Sequence, residues 1–154
     1  FLKSNLYGEH EIDGTTVGKP TVINFFVNRA LSGETVTVYE PGTQARNFVH
    51  VRDVARAYVR SAERLMGQLE RGETGTETYE IASEEDLGVM EVAEIVQEIA
   101  SEERGIEVDV DLVENPRSGE TMVEEFGVDI SKARDVLGWE VRESVRGAVR
   151  EGME

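Results

Sequence analysis

Arg46 and Arg117 each occupy a place where the chain holds a side chain in position. Arg46 lies between the turn Pro41-Gly42 and a strand-like run, and Arg117 lies in the loop Asn115-Pro116-Arg117-Ser118-Gly119-Glu120. Two guanidinium groups converging on one anion suit a diphosphate, which carries about two negative charges and many acceptor oxygens. Taken singly, each arginine reads first as a surface ion-pair partner of the many acidic side chains around it. Other chemistry is scarce. His10 and His50 are far apart in sequence and the chain has no cysteine, so no metal site is expected, and His50 reads as a strand histidine. Tyr7, Tyr39, Tyr58 and Tyr79 are followed at the fourth position by Glu11, Thr43, Ala62 and Ser83, never by lysine. A tyrosine without a nearby cation keeps a pKa of about 10 and is no base near neutral pH.

The 154 residues suffice for one core-bearing domain and are too few for two. The formal charge is -16, from 32 acidic and 16 basic side chains, of which only Lys3, Lys19 and Lys132 are lysines. Such a surface repels phosphate backbones and anionic lipids, so nucleic acid and membranes are not expected as partners. A dense acidic coat with few lysines suits a protein from concentrated salt, and a halophilic source is the expectation. With no cysteine, no apolar run near 18 residues and no basic leader, the expected location is the cytoplasm.

The elements that must hold these residues follow from periodicity. Phe1 to Gly8 reads as a strand and residues 9–20 as a loop. Val22, Ile23, Phe25, Phe26, Ala30 and Leu31 recur at helical spacing until Gly33 stops the run. Thr35 to Tyr39 alternates as a strand, and Asn47 to Val51 makes a second one after the turn. Asp53 is expected to cap a helix through about Met66, with Val54, Ala57, Tyr58 and Leu65 facing inward. A loop over 67–77, a strand at 78–82 and an amphipathic helix from Val89 to Ala100 follow. Ile106 to Val113 reads as a half-exposed strand, Asp129 as the cap of a short helix ending at Gly138, and Ser144 as the start of a last helix. The expected class is mixed α/β in one domain over 1–154.

The order of motifs carries a resemblance. Asn5-x-Tyr7-Gly8, the run Val36 to Ala55 (with Tyr39-Glu40-Pro41-Gly42-Thr43-Gln44-Ala45-Arg46-Asn47-Phe48-Val49 at its centre), Tyr79-Glu80-Ile81-Ala82, Pro116-Arg117-Ser118-Gly119-Glu120, Asp129-Ile130-Ser131-Lys132-Ala133 and Leu137-Gly138-Trp139-Glu140 occur in sequence. This series resembles the second half of nucleotide-sugar epimerases and dehydratases of the extended short-chain dehydrogenase type, such as UDP-glucose 4-epimerases and dTDP-glucose 4,6-dehydratases. Departures are Leu2, Glu9, the turn Glu40-Pro41-Gly42 and Val141, where the family has arginine, proline, Gly-Asp-Gly and proline.

The resemblance implies a substrate-binding, carboxy-terminal portion whose companion Rossmann half, bearing the glycine-rich turn and the Y-x-x-x-K pair, is absent from this sequence. It implies that Asn5 bonds the diphosphate, that Arg46 grips the phosphates, and that Arg117 closes over ribose and phosphates. Val38 and Tyr39 would flank the base, Thr21, Val22 and Ile23 would offer backbone groups, and Lys3 and Ser4 would touch NAD. The implied activity is that of an NAD-dependent UDP-sugar 4-epimerase oxidising the sugar transiently at C4, homodimeric at full length. This chain alone would carry no catalytic residue and be inert. Competing readings are a 4,6-dehydratase, a stand-alone nucleotide-sugar binding module, and an NADPH-dependent reductase that binds neither UDP nor dTDP.

Overall fold

Val36 and Val38 are buried while Thr37 and Tyr39 turn outward, the alternation of a strand with one face on a core. The computed structural model describes residues 1–116 and 127–154. Its elements run β1 (Leu2–Lys3), β2 (Asn5–Tyr7), β3 (Glu9–Ile12), β4 (Thr15–Gly18), α1 (Val22–Leu31), β5 (Val36–Tyr39), β6 (Ala45–His50), α2 (Val51–Glu70), β7 (Glu80–Ile81), β8 (Asp86–Gly88), α3 (Val89–Arg104), β9 (Val110–Val113), α4 (Ser131–Leu137) and α5 (Val145–Met153). This is the mixed α/β class expected. β2 pairs parallel to β6, which pairs antiparallel to β8; β1 pairs parallel to β7 and β5 parallel to β9.

Two apolar clusters hold these pieces. In one, Tyr7, Phe26, Val38 and Phe48 pack against Val92, Val96 and Ile99 of α3 and Val145, Val149 and Met153 of α5. In the other, Val49, Val54, Ala57 and Ile81 pack around Trp139 and Leu137. Trp139 is anchored twice, by its buried ring and by Nε1, which donates to the Asp53 carbonyl at 2.8 Å.

Several expectations need correction; among them, α3 runs on to Arg104 instead of stopping at Ala100, and the strand expected from Ile106 begins only at Val110. Residues 9–18 form an antiparallel hairpin, turned at Asp13 (φ 51°) and Gly14 (φ 75°), both in the left-handed region that a tight hairpin turn demands. Tyr58 and Leu65 are 53% and 52% exposed, so the buried stripe of α2 is Asp53, Val54 and Ala57. Finally, α2 begins earlier and ends later than expected, at Val51 and Glu70, and its cap is His50, whose Nδ1 accepts the Arg52 amide at 3.1 Å. Asp53 serves a different end. Its buried carboxylate accepts the amides of Arg142 and Glu143, both at 3.1 Å, and pairs with Arg56. It thereby ties the first turn of α2 to the strap before α5.

His50 carries a pH dependence. Burial, then the positive Arg52, lowers its pKa from 6.5 to about 4. The unfolded chain takes up this proton near pH 6.5 and the folded chain only near 4. This part of the stability is therefore complete above about 6.5 and lost as pH falls toward 4, on the order of 3 kcal/mol in all. His50→Asn keeps an acceptor for the cap and does not titrate. Denaturant unfolding across that pH window should show the slope of the native chain clearly reduced in the variant.

Candidate functional site

Asn5 and Arg46 meet through the β2–β6 pairing. Asn5 stands opposite Phe48, two residues beyond Arg46, so the two α-carbons are diagonal neighbours roughly 8 Å apart. Asn5 is exposed and its amide nitrogen donates to the Asn47 carbonyl at 3.3 Å, which fixes the side chain beside β6. Asn47, itself buried, exchanges two hydrogen bonds with the Ser83 backbone at 2.8 and 3.0 Å and so pins β6 in turn. Arg46 is half-buried, and Nη1 donates to the Ala45 carbonyl at 2.9 Å. Arg117 lies outside the described residues.

The start of α1 is brought to the same neighbourhood by Asn24. Its side chain accepts the Gly8 amide at 2.9 Å and donates to the Gly8 carbonyl at 3.3 Å, three residues along the chain from Asn5. Thr21 supplies no side-chain cap, and its hydroxyl is buried with no partner among the described residues. The amides of Val22 and Ile23 therefore head the helix without a capping side chain. Ile23 itself is buried, so only its backbone is available to a ligand.

β5 contributes an edge as well as a face. The Val36 and Glu40 amides donate to Asp109 and Val113, both at 2.8 Å, so even-numbered residues face β9. Thr37 and Tyr39 consequently turn their N–H and C=O groups to the other edge, where no strand pairs among the described residues. Two side chains reach that edge: Arg29 Nε donates to the Thr35 carbonyl at 2.9 Å, and Gln44 Nε2 donates to the Tyr39 carbonyl at 3.3 Å. Gln44 thus joins the open edge of β5 to the beginning of β6, two residues from Arg46. Val38 is only 1% exposed and packs inward, so the outward pair on this strand is Thr37 and Tyr39. The sequence motifs single out neither Thr37 nor Gln44 as a site residue. Period-two alternation points to Thr37, since the residue sharing a face with Tyr39 is two positions away, not one.

In β1, Lys3 is engaged: its Nζ donates to the Tyr58 hydroxyl at 3.2 Å. Ser4 Oγ is buried with no partner among the described residues, an orphaned group that a ligand amide would satisfy. A separate cleft of about 480 Å³ opens between the β3–β4 hairpin, α1 and α5 and is lined by Tyr7, His10, His50 and Glu151. Of the expected site residues among those described, only Ile23 borders it. Burial pushes the Tyr7 hydroxyl further above its ordinary pKa, away from proton transfer at neutral pH. No group of acidic and histidine side chains suited to a metal ion occurs among the described residues.

Known proteins share both sequence and fold with this chain. Residues 3–82, just over half of it, match the model of the NAD dependent epimerase/dehydratase family. UDP-glucuronic acid decarboxylase 6 of Arabidopsis thaliana is 34% identical over 125 residues, 81% of this chain and 32% of that protein. A putative UDP-glucose 4-epimerase of Methanocaldococcus jannaschii is 29% identical over 136 residues, 88% of this chain and 38% of its own length. The chain thus spans about a third of the curated relatives it matches. The solved UDP-glucose 4-epimerase of Thermotoga maritima superposes with a TM-score of 0.71 at 24% identity, over 98% of this chain and 43% of that one. That likeness establishes a common fold.

Proposed function

The chain belongs to the NAD dependent epimerase/dehydratase family, and from that premise we propose that it is the part of such an enzyme that grips a pyrimidine nucleotide sugar. The observation that carries this reading is the junction of Asn5, Arg46 and the open edge of β5, joined by Gln44. In this reading Arg46 and Asn5 take the diphosphate, a guanidinium for its charge and an amide for its oxygens. The amides at the head of α1 add donors with the favourable end of a helix dipole. Tyr39 and Thr37 supply an outward face and an unpaired edge for the flat base. Arg117, outside the described residues, is proposed to close over ribose and phosphates.

The names of the two relatives above differ in the sugar chemistry and agree on UDP, in the decarboxylase as in the epimerase. This favours UDP over dTDP and leaves the nucleotide end as the shared feature. We keep a UDP-sugar 4-epimerase as the leading reading of the whole enzyme. A UDP-glucuronic acid decarboxylase stands second, on its 34% identity. When bound, NAD would accept and return a hydride at the sugar. Ser4, with its orphaned hydroxyl, fits a place beside it better than Lys3, which Tyr58 already holds. The residues of this chain would bind and orient, so the chain by itself is expected to turn over no sugar nucleotide.

Calorimetric titration with UDP tests the reading. Arg46→Ala should weaken UDP binding by roughly ten- to a hundredfold, the worth of a hydrogen bond to a charged group. An unchanged affinity would remove Arg46 from the site. Failure of the native chain to bind either UDP or dTDP would favour a reductase of non-nucleotide carbonyls.

A further inference from the structure

We infer that Asn47 is a positioning residue for the diphosphate, one that aims the Asn5 amide nitrogen and not its oxygen at the phosphates; the inference rests on the nucleotide-binding reading above. The oxygens of a diphosphate only accept, so an asparagine beside them helps with its NH2 group and repels with its carbonyl. A freely turning side chain would present either end. Asn5 is exposed, and its Nδ2 donates to the Asn47 carbonyl at 3.3 Å, which turns the nitrogen toward β6 and the oxygen away from it. One N–H is spent on that carbonyl. The second is left for a phosphate on the side where Arg46 stands, next to Asn47 in β6.

The Asn47 side chain acts from the far side of the sheet. Asn5 is paired with Phe48, so Asn5, Phe48 and Arg46 leave the β2–β6 pair on one face and Asn47 on the other. Asn47 is also buried, so a ligand beside Asn5 and Arg46 does not touch it. It meets the stretch 82–85, where the chain passes from β7, paired with β1, to β8, paired with β6. Ser83 belongs to neither strand, and the Asn47 amide serves its backbone in place of one. Oδ1 accepts the Ser83 amide at 3.0 Å, while Nδ2 donates to the carbonyls of Ser83 at 2.8 Å and Glu85 at 3.3 Å. Leucine, of similar size, has neither donor nor acceptor and would leave these peptide groups unpaired. The crossing is fixed at its other end as well, since Glu85 Oε2 accepts the Val145 amide at the head of α5 at 2.9 Å. Asn47 thereby ties β6 to a held crossing, and the carbonyl that orients Asn5 belongs to the tied residue itself.

Titration of the 154-residue chain with UDP and with uridine, followed by NMR shifts, tests this on the native form, Asn47→Leu, Asn5→Ala and the double variant. Asn47→Leu and Asn5→Ala should each weaken UDP by roughly tenfold, the worth of one hydrogen bond to a charged group, and leave uridine, which has no phosphates, within about twofold. In the Asn5→Ala background the Asn47 replacement should change UDP affinity by less than about twofold, because no amide is left to aim. Asn47→Ser, with a smaller donor and acceptor, should show the same pattern at reduced size, and it carries the cycle where the leucine form does not fold. UDP and uridine weakened alike, or the full loss persisting without Asn5, makes Asn47 a structural residue and overturns the inference while the nucleotide-binding reading stands. So does an Asn47 or Asn5 variant that binds UDP like the native chain. A native chain that binds neither UDP nor uridine overturns that reading instead.

Discussion

Asp53→Ala is expected to destabilise the fold by about 3 kcal/mol, a melting-temperature loss of roughly 10 °C for a chain of this size. The carboxylate is fully buried and accepts two backbone amides of the strap, Arg142 and Glu143, both at 3.1 Å, while pairing with Arg56. Each hydrogen bond to a charged group contributes about 1.5–3 kcal/mol, and alanine leaves the amides to find water where the side chain was. Arg56 loses less, because it is partly exposed and Glu143 lies within 3.9 Å to take over some of its charge. Asparagine in place of Asp53 keeps the shape but turns an NH2 group toward one of the amides, so Asp53→Asn should fall between the native chain and Asp53→Ala. If Asp53 were only a helix cap, asparagine would serve equally well. Thermal unfolding of the three forms distinguishes the two roles by whether asparagine equals aspartate.

That role is hidden from the sequence for a physical reason. Aspartate near a helix start is good cap chemistry, and local preference alone names it. What displaces it is a contact with residues some ninety positions away, together with a histidine whose ring nitrogen serves the helix first. Features set by local chemistry are legible. α1 stops before Gly33, and Ser144 opens α5 by accepting the Gly147 amide at 3.1 Å. The hairpin at 9–18 escapes a periodicity reading because none of its strand residues is buried, so it has no apolar alternation to show. Its signal is the dipeptide Asp13-Gly14, a turn sequence with a mechanism of its own.

The candidate site divides in the same way. Motif alone marks Asn5, Tyr39 and Arg46, and pairing register sets Asn5 beside Arg46. The Asn24 bonds to Gly8 hold the head of α1 near them. The choice between Thr37 and Val38 turns on which face of β5 meets α3, a question of tertiary packing. Gln44 stands within the motif run without a role that its position there would suggest. Its contact to Tyr39 exists only once the turn at 40–43 has folded back, bringing the start of β6 to an edge that β9 does not cover.

Gly8→Ala should cost about 4 kcal/mol, the largest single effect expected here, and it tests how the site is held together. Gly8 sits at φ +79°, where a side chain costs about 1–2 kcal/mol by itself. A methyl group there would also collide with Nε2 and Cδ2 of the His50 ring. Any retreat of that ring into the neighbouring cleft has to break its Nδ1 bond to the Arg52 amide, the cap of α2. Overpacking of this kind typically adds about 1–3 kcal/mol. His50→Ala removes the collision but not the backbone strain. In the double variant the two losses should therefore sum to less than their separate values, by about 1–3 kcal/mol. Strict additivity in denaturant unfolding would mean that the ring simply swings aside. Because both polar groups of the Gly8 backbone hold Asn24 and with it the head of α1, a shift at residue 8 should also weaken UDP binding. The His50→Ala background should restore part of that binding along with the stability, since both losses arise from the same displaced strand end.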